Sequence, residues 1–536
     1  MLPPDSSLLR TCRISGKKFI IHPCEVDLLR RISEVNPAIR AEVPLPTLHP
    51  VECVRQMATY GSLMNLYRGK SALSGKAQLT RYNPAYKYLI CTQDEYWSDQ
   101  VDNSQFGREY DFSRPFFEQW NELMHAVYLL PLTNTNNENS EYVNGGQDMK
   151  NCYLCFACSQ AQDCLYCFTH YHGNDNIECA NANKCQFCYH CSDVENCYES
   201  QNCVECETCS NCIGCIDCTG CSFCTGCVGI EHRQYCFFNE KLSPEQYQER
   251  VRDLNLGSYA ARHSFLERLA AFLASSGHVP NRLINVENCT GSYIRRGQNL
   301  VYCFNSRNCK DCGYQVAALD STDCWKGYAI NCEFNYNSIN YNAYNCHYSY
   351  GIFRSESCWY GYVLGNSCAH CFGCSALKQK SYCILNKQYS KGEYMDLVPR
   401  IVAHMRQTGE WGQYFPAKLA PHSYEDSWVN DYLTEIPHEE VLRRGYHSDP
   451  PLVQPAPPNA IQGADLPDHI DDAIPAMLLS QPIACATTGA AFNIQEREIA
   501  FYQRFKIPLP RTHWRERLVK LIRRRDRMDE HADACS

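Results

Sequence analysis

The sequence predicts a mainly β protein: two duplicated β-solenoid (β-helix) blocks, each capped by a helix, flanked by small α/β ribbon-like terminal modules. Two observations carry this expectation. Every cysteine from Cys152 to Cys236 falls in one register of three. The run Cys221-S-F-Cys224-T-G-Cys227 recurs as Cys368-A-H-Cys371-F-G-Cys374, with Tyr235-Cys236-x-x-Asn239 matching Tyr382-Cys383-x-x-Asn386 at the same distance. A flat strand turns every second side chain to one face and a helix follows 3.6 residues. A sustained period of three asks instead for a tight coil whose short sides each send one residue inward.

At 536 residues the chain is long enough for several cores. A net charge of −9 with no dominant block excludes a general nucleic-acid coat protein. The 38 cysteines and 36 tyrosines are the outliers, and the chain is too long to be a disulfide mini-protein. Residues 1–18 lack an apolar signal region, and no run of about 18 apolar residues would span a membrane. The expected compartment is the cytoplasm, where thiols are reduced, buried or metal-bound rather than paired.

Residues 1–135 hold few cysteines and read as an α/β region. Phe116, Trp120, Leu123 and Val127 have the spacing of a buried helical stripe, with Ser113 as N-cap before Arg114-Pro115. Residues 136–277 form the first cysteine-rich block and 281–446 the second. Each block enters a helix through a capping box, Ser243-P-E-Gln246 and Ser390-K-G-Glu393. Such a helix would cover the last coil. Residues 447–480 read as a proline-rich linker, and 481–536 as a C-terminal module with a basic helix.

Within the ladder, Cys203, Cys206, Cys209, Cys212, Cys215, Cys218, Cys221, Cys224 and Cys227 follow one another at every third residue. Asn or Asp often precedes the cysteine, as at Asn151, Asp163, Asn196, Asn202, Asn211 and Asp217, and these residues suit corners. In the second block Tyr344, Cys346, Tyr348 and Tyr350 alternate as one strand face, so tyrosine reads as a substitute for cysteine. That favours cysteine as a small buried hydrophobe, whose loss to alanine would cost only about 1 kcal/mol. The rival is bound zinc or copper(I), because repeated C-x2-C is also a thiolate knuckle.

The two chain ends are similar to each other. Cys12-R-I-Ser15-Gly16-K-K-Phe19 matches Cys485-A-T-Thr488-Gly489-A-A-Phe492, and His49-P-V-Glu52 matches His513-W-R-Glu516. With Phe501-Tyr502 and Pro508-L-Pro510, this pattern resembles a zinc-ribbon family over about 35 residues at each end. The resemblance implies a zinc site. Carried over, its first ligand pair falls on Cys12 and Ser15, or on Cys485 and Thr488. Its second pair falls on His49 and Glu52, or on His513 and Glu516. Cys53 could add to the first module, and Cys535 or His531 to the second. Only one cysteine per module survives, which departs from the family pattern. The whole chain also resembles a family of cysteine-rich repeat proteins from uncultivated small-genome bacteria. That likeness rests on Glu95-Y-W-S-Asp99, Asp111-F-S-R-P-F-F-Glu118, Asn134-T-N-N-E-N-S-E-Tyr142, Asn288-C-T-Gly291 and Tyr382-C-I-L-N-K-Q-Tyr389. It implies no particular activity.

The functional expectation is a non-catalytic solenoid scaffold or binding protein for a macromolecular partner, protein or nucleic acid. Arg515, Arg517, Lys520, Arg523 and Arg524 form the candidate phosphate-contacting stripe, against an amphipathic helix burying Leu518, Leu521 and Ile522. A metal-thiolate protein holding zinc or copper is the first alternative. A β-helix carbohydrate-active enzyme is the second. The sequence holds no phosphate loop, G-x-S-x-G or H-E-x-x-H, and its acids mark no glycosidase pair.

Overall fold

In the computed structural model, residues 8–169, 173–174, 176–178, 180–183, 192–195, 209–277, 283–315, 318, 320–326, 329–330, 336, 339–341, 343–449 and 454–525 are described. They fall into two compact units. One comprises Met1–Leu132, Pro280–Pro450 and Asp526–Ser536; the other comprises Thr133–Val279 and Pro451–Arg525. Each unit thus joins one cysteine-rich stretch to at least one of the terminal modules.

The mainly β expectation, with its solenoid blocks, is overturned. The sheets among the described residues have only two or three strands, and helix outweighs strand, at about 30% against 23%. The reason lies in how the cysteine-rich stretches use their backbone. Parallel bridges join residues twelve apart, as in Thr135 with Gln147, Lys150 with Gln162 and Ile213 with Thr225. In each triplet one residue makes the bridge, the next turns the chain in the left-handed region, and the third points inward. Asn151, Leu154, Ala157, Gln160, Asp163 and Tyr166 take φ of 51–56° at consecutive corners. A corner at every third residue breaks much of the pairing into single bridges, although a few strands, such as Gly291–Gln298 and Cys303–Lys310, run through their corners. Among the residues expected at corners, Asn151, Asp163, Asn211 and Asp217 have φ of 51–55°. Asn and Asp tolerate that region better than other non-glycine residues. Asn196 and Asn202 lie outside the described residues.

The inward residues of the second unit form one buried cluster, including Cys152, Cys155, Cys158, Cys164, Cys167 and the described ladder from Cys209 to Cys227. Cys203 and Cys206 lie outside the described residues. In the first unit the inward row reads Ala343, Cys346, Ile352, Cys358, Leu364, all buried. Tyrosine therefore does not replace cysteine there. Tyr344 is 49% exposed, so the alternating face fails because the local period is three rather than two. Tyr348 and Tyr360 instead stack on each other at 5.2 Å, beside the row rather than in it.

Both stretches end alike. Strands Ser222–Thr225, Gln234–Phe237 and Glu240–Lys241 in one unit match Ala369–Phe372, Ser381–Ile384 and Lys387–Gln388 in the other, parallel then antiparallel. The Asn239 side chain bonds both backbone groups of Val228 at 2.9 Å, and Asn386 does the same to Ser375. Helices Pro244–Asp253 and Lys391–Gln407 follow through the expected capping boxes at Ser243 and Ser390.

Elsewhere the stripe of helix Phe116–Ala126 is buried as expected. Its cap is not Ser113, whose hydroxyl is tied to Asp111. The Glu410 carboxylate accepts the N–H groups of Phe116 and Phe117 at 2.8 and 2.9 Å, a charged cap that also complements the helix dipole. The linker expectation also fails in part. Leu466, Ile470 and Leu478 are buried, and Asp468 bonds Ser258 and the Ala260 N–H, so much of 454–480 is docked. Residues 450–453 lie outside the described residues. No helix among the described residues is long and apolar enough to cross a membrane.

Candidate functional site

Three places carry chemistry-bearing side chains: the inward cysteine rows, the two terminal modules, and the basic helix.

In the rows, corner and bridging N–H groups bond to backbone of adjacent turns: Lys150 N–H reaches the Ala161 carbonyl, and Asp163 N–H reaches the Lys150 carbonyl. At several positions the inward N–H instead donates to the side chain of the inward residue twelve earlier. The Asn239 N–H donates to Cys227 Sγ and the Asn386 N–H to Cys374 Sγ, both at 3.4 Å. The backbone of Cys224 also lies against Cys212 Sγ, and that of Cys167 against Cys155 Sγ. Each thiol in turn donates to a carbonyl two residues back or nine ahead, as Cys212 does to Ser210 at 3.4 Å or Cys221 at 3.7 Å.

Serine fills the same position with the same bonds. Ser349 Oγ accepts the Gly361 N–H and donates to the His347 carbonyl, both at 2.9 Å. Ser140 and Ser355 repeat the pattern. The row therefore selects a small side chain that both accepts and donates. Treating cysteine as a small hydrophobe misses this, although the serines at 140, 349 and 355 sit in the same period of three and could have signalled it.

The terminal modules share one local geometry. Strands Leu9–Thr11 and Lys18–Ile20 pair with Thr11 opposite Lys18, and Ile483–Ala484 and Ala491–Phe492 pair with Ala484 opposite Ala491. In the turn between, Gly16 N–H bonds the Cys12 carbonyl at 3.0 Å and Gly489 N–H the Cys485 carbonyl at 2.9 Å. His49 caps helix Pro50–Ala58, its Nδ1 accepting Val51 N–H at 3.3 Å. His513 Nδ1 accepts Arg515 N–H at 3.2 Å ahead of helix Trp514–Arg525. Phe19 meets the His49 ring edge-on at 6.0 Å, and Phe492 meets His513 at 6.1 Å.

The donor sets do not fit zinc. In the first module the Glu52 carboxylate is turned to Arg444 at 2.5 Å and Arg55 at 3.7 Å. Burial pushes the Cys53 thiol up to about 11, and it donates to the Leu48 carbonyl. In the second module Glu516 accepts hydrogens from the Cys485 thiol at 3.0 Å, Thr487 at 2.5 Å and Thr488 at 3.0 Å. The His513 Nδ1 is already engaged by the Arg515 N–H. A structural zinc wants four thiolate, imidazole or carboxylate ligands, and neutral hydroxyls are not among them. Among the described residues no group of three or more His, Cys, Asp or Glu is placed to hold a metal. Cys535 and His531 lie outside the described residues.

On the basic helix, Leu518, Leu521 and Ile522 are buried. Arg517 does not belong to an outward stripe. Its guanidinium pairs with the buried Glu178 carboxylate and lies over the Tyr166 ring at 5.3 Å. Lys520 is exposed, Arg515 and Arg523 are half-buried, and the Arg524 side chain lies outside the described set. Sequence periodicity could not reveal Glu178 as the partner, because it lies 339 residues away.

Comparison with family models, curated proteins and solved structures finds no match.

Proposed function

We propose that the chain is a non-catalytic, cysteine-rich repeat protein of the cytoplasm that binds a macromolecular partner as a scaffold. Its kinship with the cysteine-rich repeat family is part of this reading. The observation that supports it is the division of labour between inside and outside. The thiols of the described rows face inward and are engaged with the backbone. Outward corners instead carry rows of amides and carboxylates in line, twelve residues apart. Asn136 donates to Asp148 at 3.2 Å and Asn139 to Asn151 at 3.1 Å in one unit. Asn308 donates to Asp320 at 2.6 Å in the other. Such in-line rows make a regular polar face suited to adaptable contacts.

The test replaces Asn136 and Asn139, whose φ values are 52° and 48°, together by glycine, which adopts that backbone freely, and compares affinity capture from the native host with wild type. The reading expects one discrete partner that the variant loses at unchanged melting temperature. Equal recovery by both proteins, or no specific partner with either, would contradict it.

A further inference from the structure

The terminal pattern of paired strands, a C-x2-[ST]-Gly turn and an H-x2-E helix start has a counterpart that its composition conceals. Strands Tyr67–Lys70 and Ala77–Thr80 pair with Lys70 opposite Ala77. That register sets the residue before the turn opposite the one six after it begins, as Thr11 is set opposite Lys18 and Ala484 opposite Ala491. Between them lies Ser71-A-L-Ser74-Gly75. Ser71 N–H bonds the Lys76 carbonyl at 2.8 Å, and Gly75 N–H bonds the Ser71 carbonyl at 2.9 Å. The corresponding bonds from Cys12 and Gly16 are 2.8 and 3.0 Å, and from Cys485 and Gly489 2.8 and 2.9 Å. Gly16, Gly75 and Gly489 have φ of +70, +74 and +71°, with nothing within 4 Å of a Cβ, so backbone conformation rather than crowding calls for glycine.

The second loop matches too. Thr92 caps helix Gln93–Trp97 where His49 and His513 stand, and Glu95 follows three residues later as Glu52 and Glu516 do. Glu95 then repeats what Glu516 does. Its Oε2 accepts the Ser71 hydroxyl at 2.6 Å and the Thr92 N–H at 2.8 Å, and Ser74 also bonds it. Those hydrogen bonds, that from Ser71 foremost, hold its carboxyl down to about 2.

We infer that residues 67–97 form a third knuckle, in which the Glu95 carboxylate, and not a metal ion, clasps the two loops together. The four positions that would be ligands are Ser71, Ser74, Thr92 and Glu95. Three are neutral hydroxyls, which donate to a carboxylate far better than they bind zinc. The same clasp holds the module of Cys485 and Glu516. In the module of Cys12 the acid has left for Arg444.

Two arms test this on the full-length chain. In S71C/S74C/T92C/E95C the four positions carry thiols. Cobalt(II), and then zinc(II), should bind this variant with one additional equivalent over wild type, cobalt giving a tetrahedral thiolate spectrum. In E95A the clasp is removed with no metal involved. The Leu73 and Ser74 amides, which bond the Ser71 hydroxyl that Glu95 holds across the loops, should then exchange their hydrogens roughly ten- to a hundredfold faster than in wild type. A folded quadruple variant that takes up no extra cobalt would overturn the shared geometry. Leu73 and Ser74 exchange unchanged in E95A would overturn the clasp, and this arm decides the matter should the quadruple variant not fold.

Discussion

Replacing Arg517 by methionine is expected to destabilise the unit formed by Thr133–Val279 and Pro451–Arg525 by about 3–5 kcal/mol. The arginine side chain is 10% exposed and that of its partner Glu178 is 2% exposed. Removing one member leaves a carboxylate buried without its counter-charge, and the desolvation cost of that charge is no longer offset. The surroundings deepen the effect. Arg517 also donates to the Tyr502 hydroxyl at 3.4 Å, and Tyr502 and Tyr166 both donate to the fully buried Glu498, at 2.7 and 2.8 Å. Burial raises the Glu498 carboxyl to about 7, so this corner tolerates little further negative charge. Denaturant unfolding, followed by hydrogen exchange in residues 209–227, reads the loss. The double variant E178Q/R517M should recover a large part of it, because the uncompensated charge is gone. If R517M matches wild-type stability and instead weakens oligonucleotide binding, the outward, phosphate-contacting role is the right one.

Replacing Cys212 by alanine is expected to cost about 2–3 kcal/mol, more than the small-hydrophobe reading gives. Truncation removes the buried sulfur together with its bonds to the Ser210 and Cys221 carbonyls and its contact with the Cys224 backbone, and a buried polar group left unsatisfied costs about 1–3 kcal/mol by itself. Serine should cost under about 1 kcal/mol, since Ser349 already accepts and donates from the equivalent place. Valine fills the space without an acceptor and should be as harmful as alanine. The order wild type, serine, then alanine and valine, read from denaturant midpoints, is the expected outcome. Alanine and serine costing the same would show that volume alone decides.

Much of this was legible because it is local. The register of three, the Asn and Asp corners, the capping boxes at Ser243 and Ser390 and the stripe from Phe116 to Val127 all depend on near neighbours in sequence. The mainly β assignment failed because spacing reports which residues face inward but not how many pair. One bridging residue in three builds isolated bridges, and the helices between them outweigh the strands. Partners distant in sequence were hidden for a different reason. Glu410 capping Phe116, Glu178 holding Arg517 and Arg444 holding Glu52 arise only when the chain folds back. The third knuckle escaped because both of its cysteine positions carry serine, which removes the signal while leaving the turn intact.

The central claim is that the inward thiols are reduced hydrogen-bonding groups of the core and not metal ligands. The most direct measurement combines elemental analysis with thiol titration, on chain purified under reducing, metal-replete conditions and then denatured with excess reductant removed. All 38 cysteines should titrate as free thiols, with zinc and copper well below one atom per chain. Several equivalents of either metal, released only on unfolding, would contradict it.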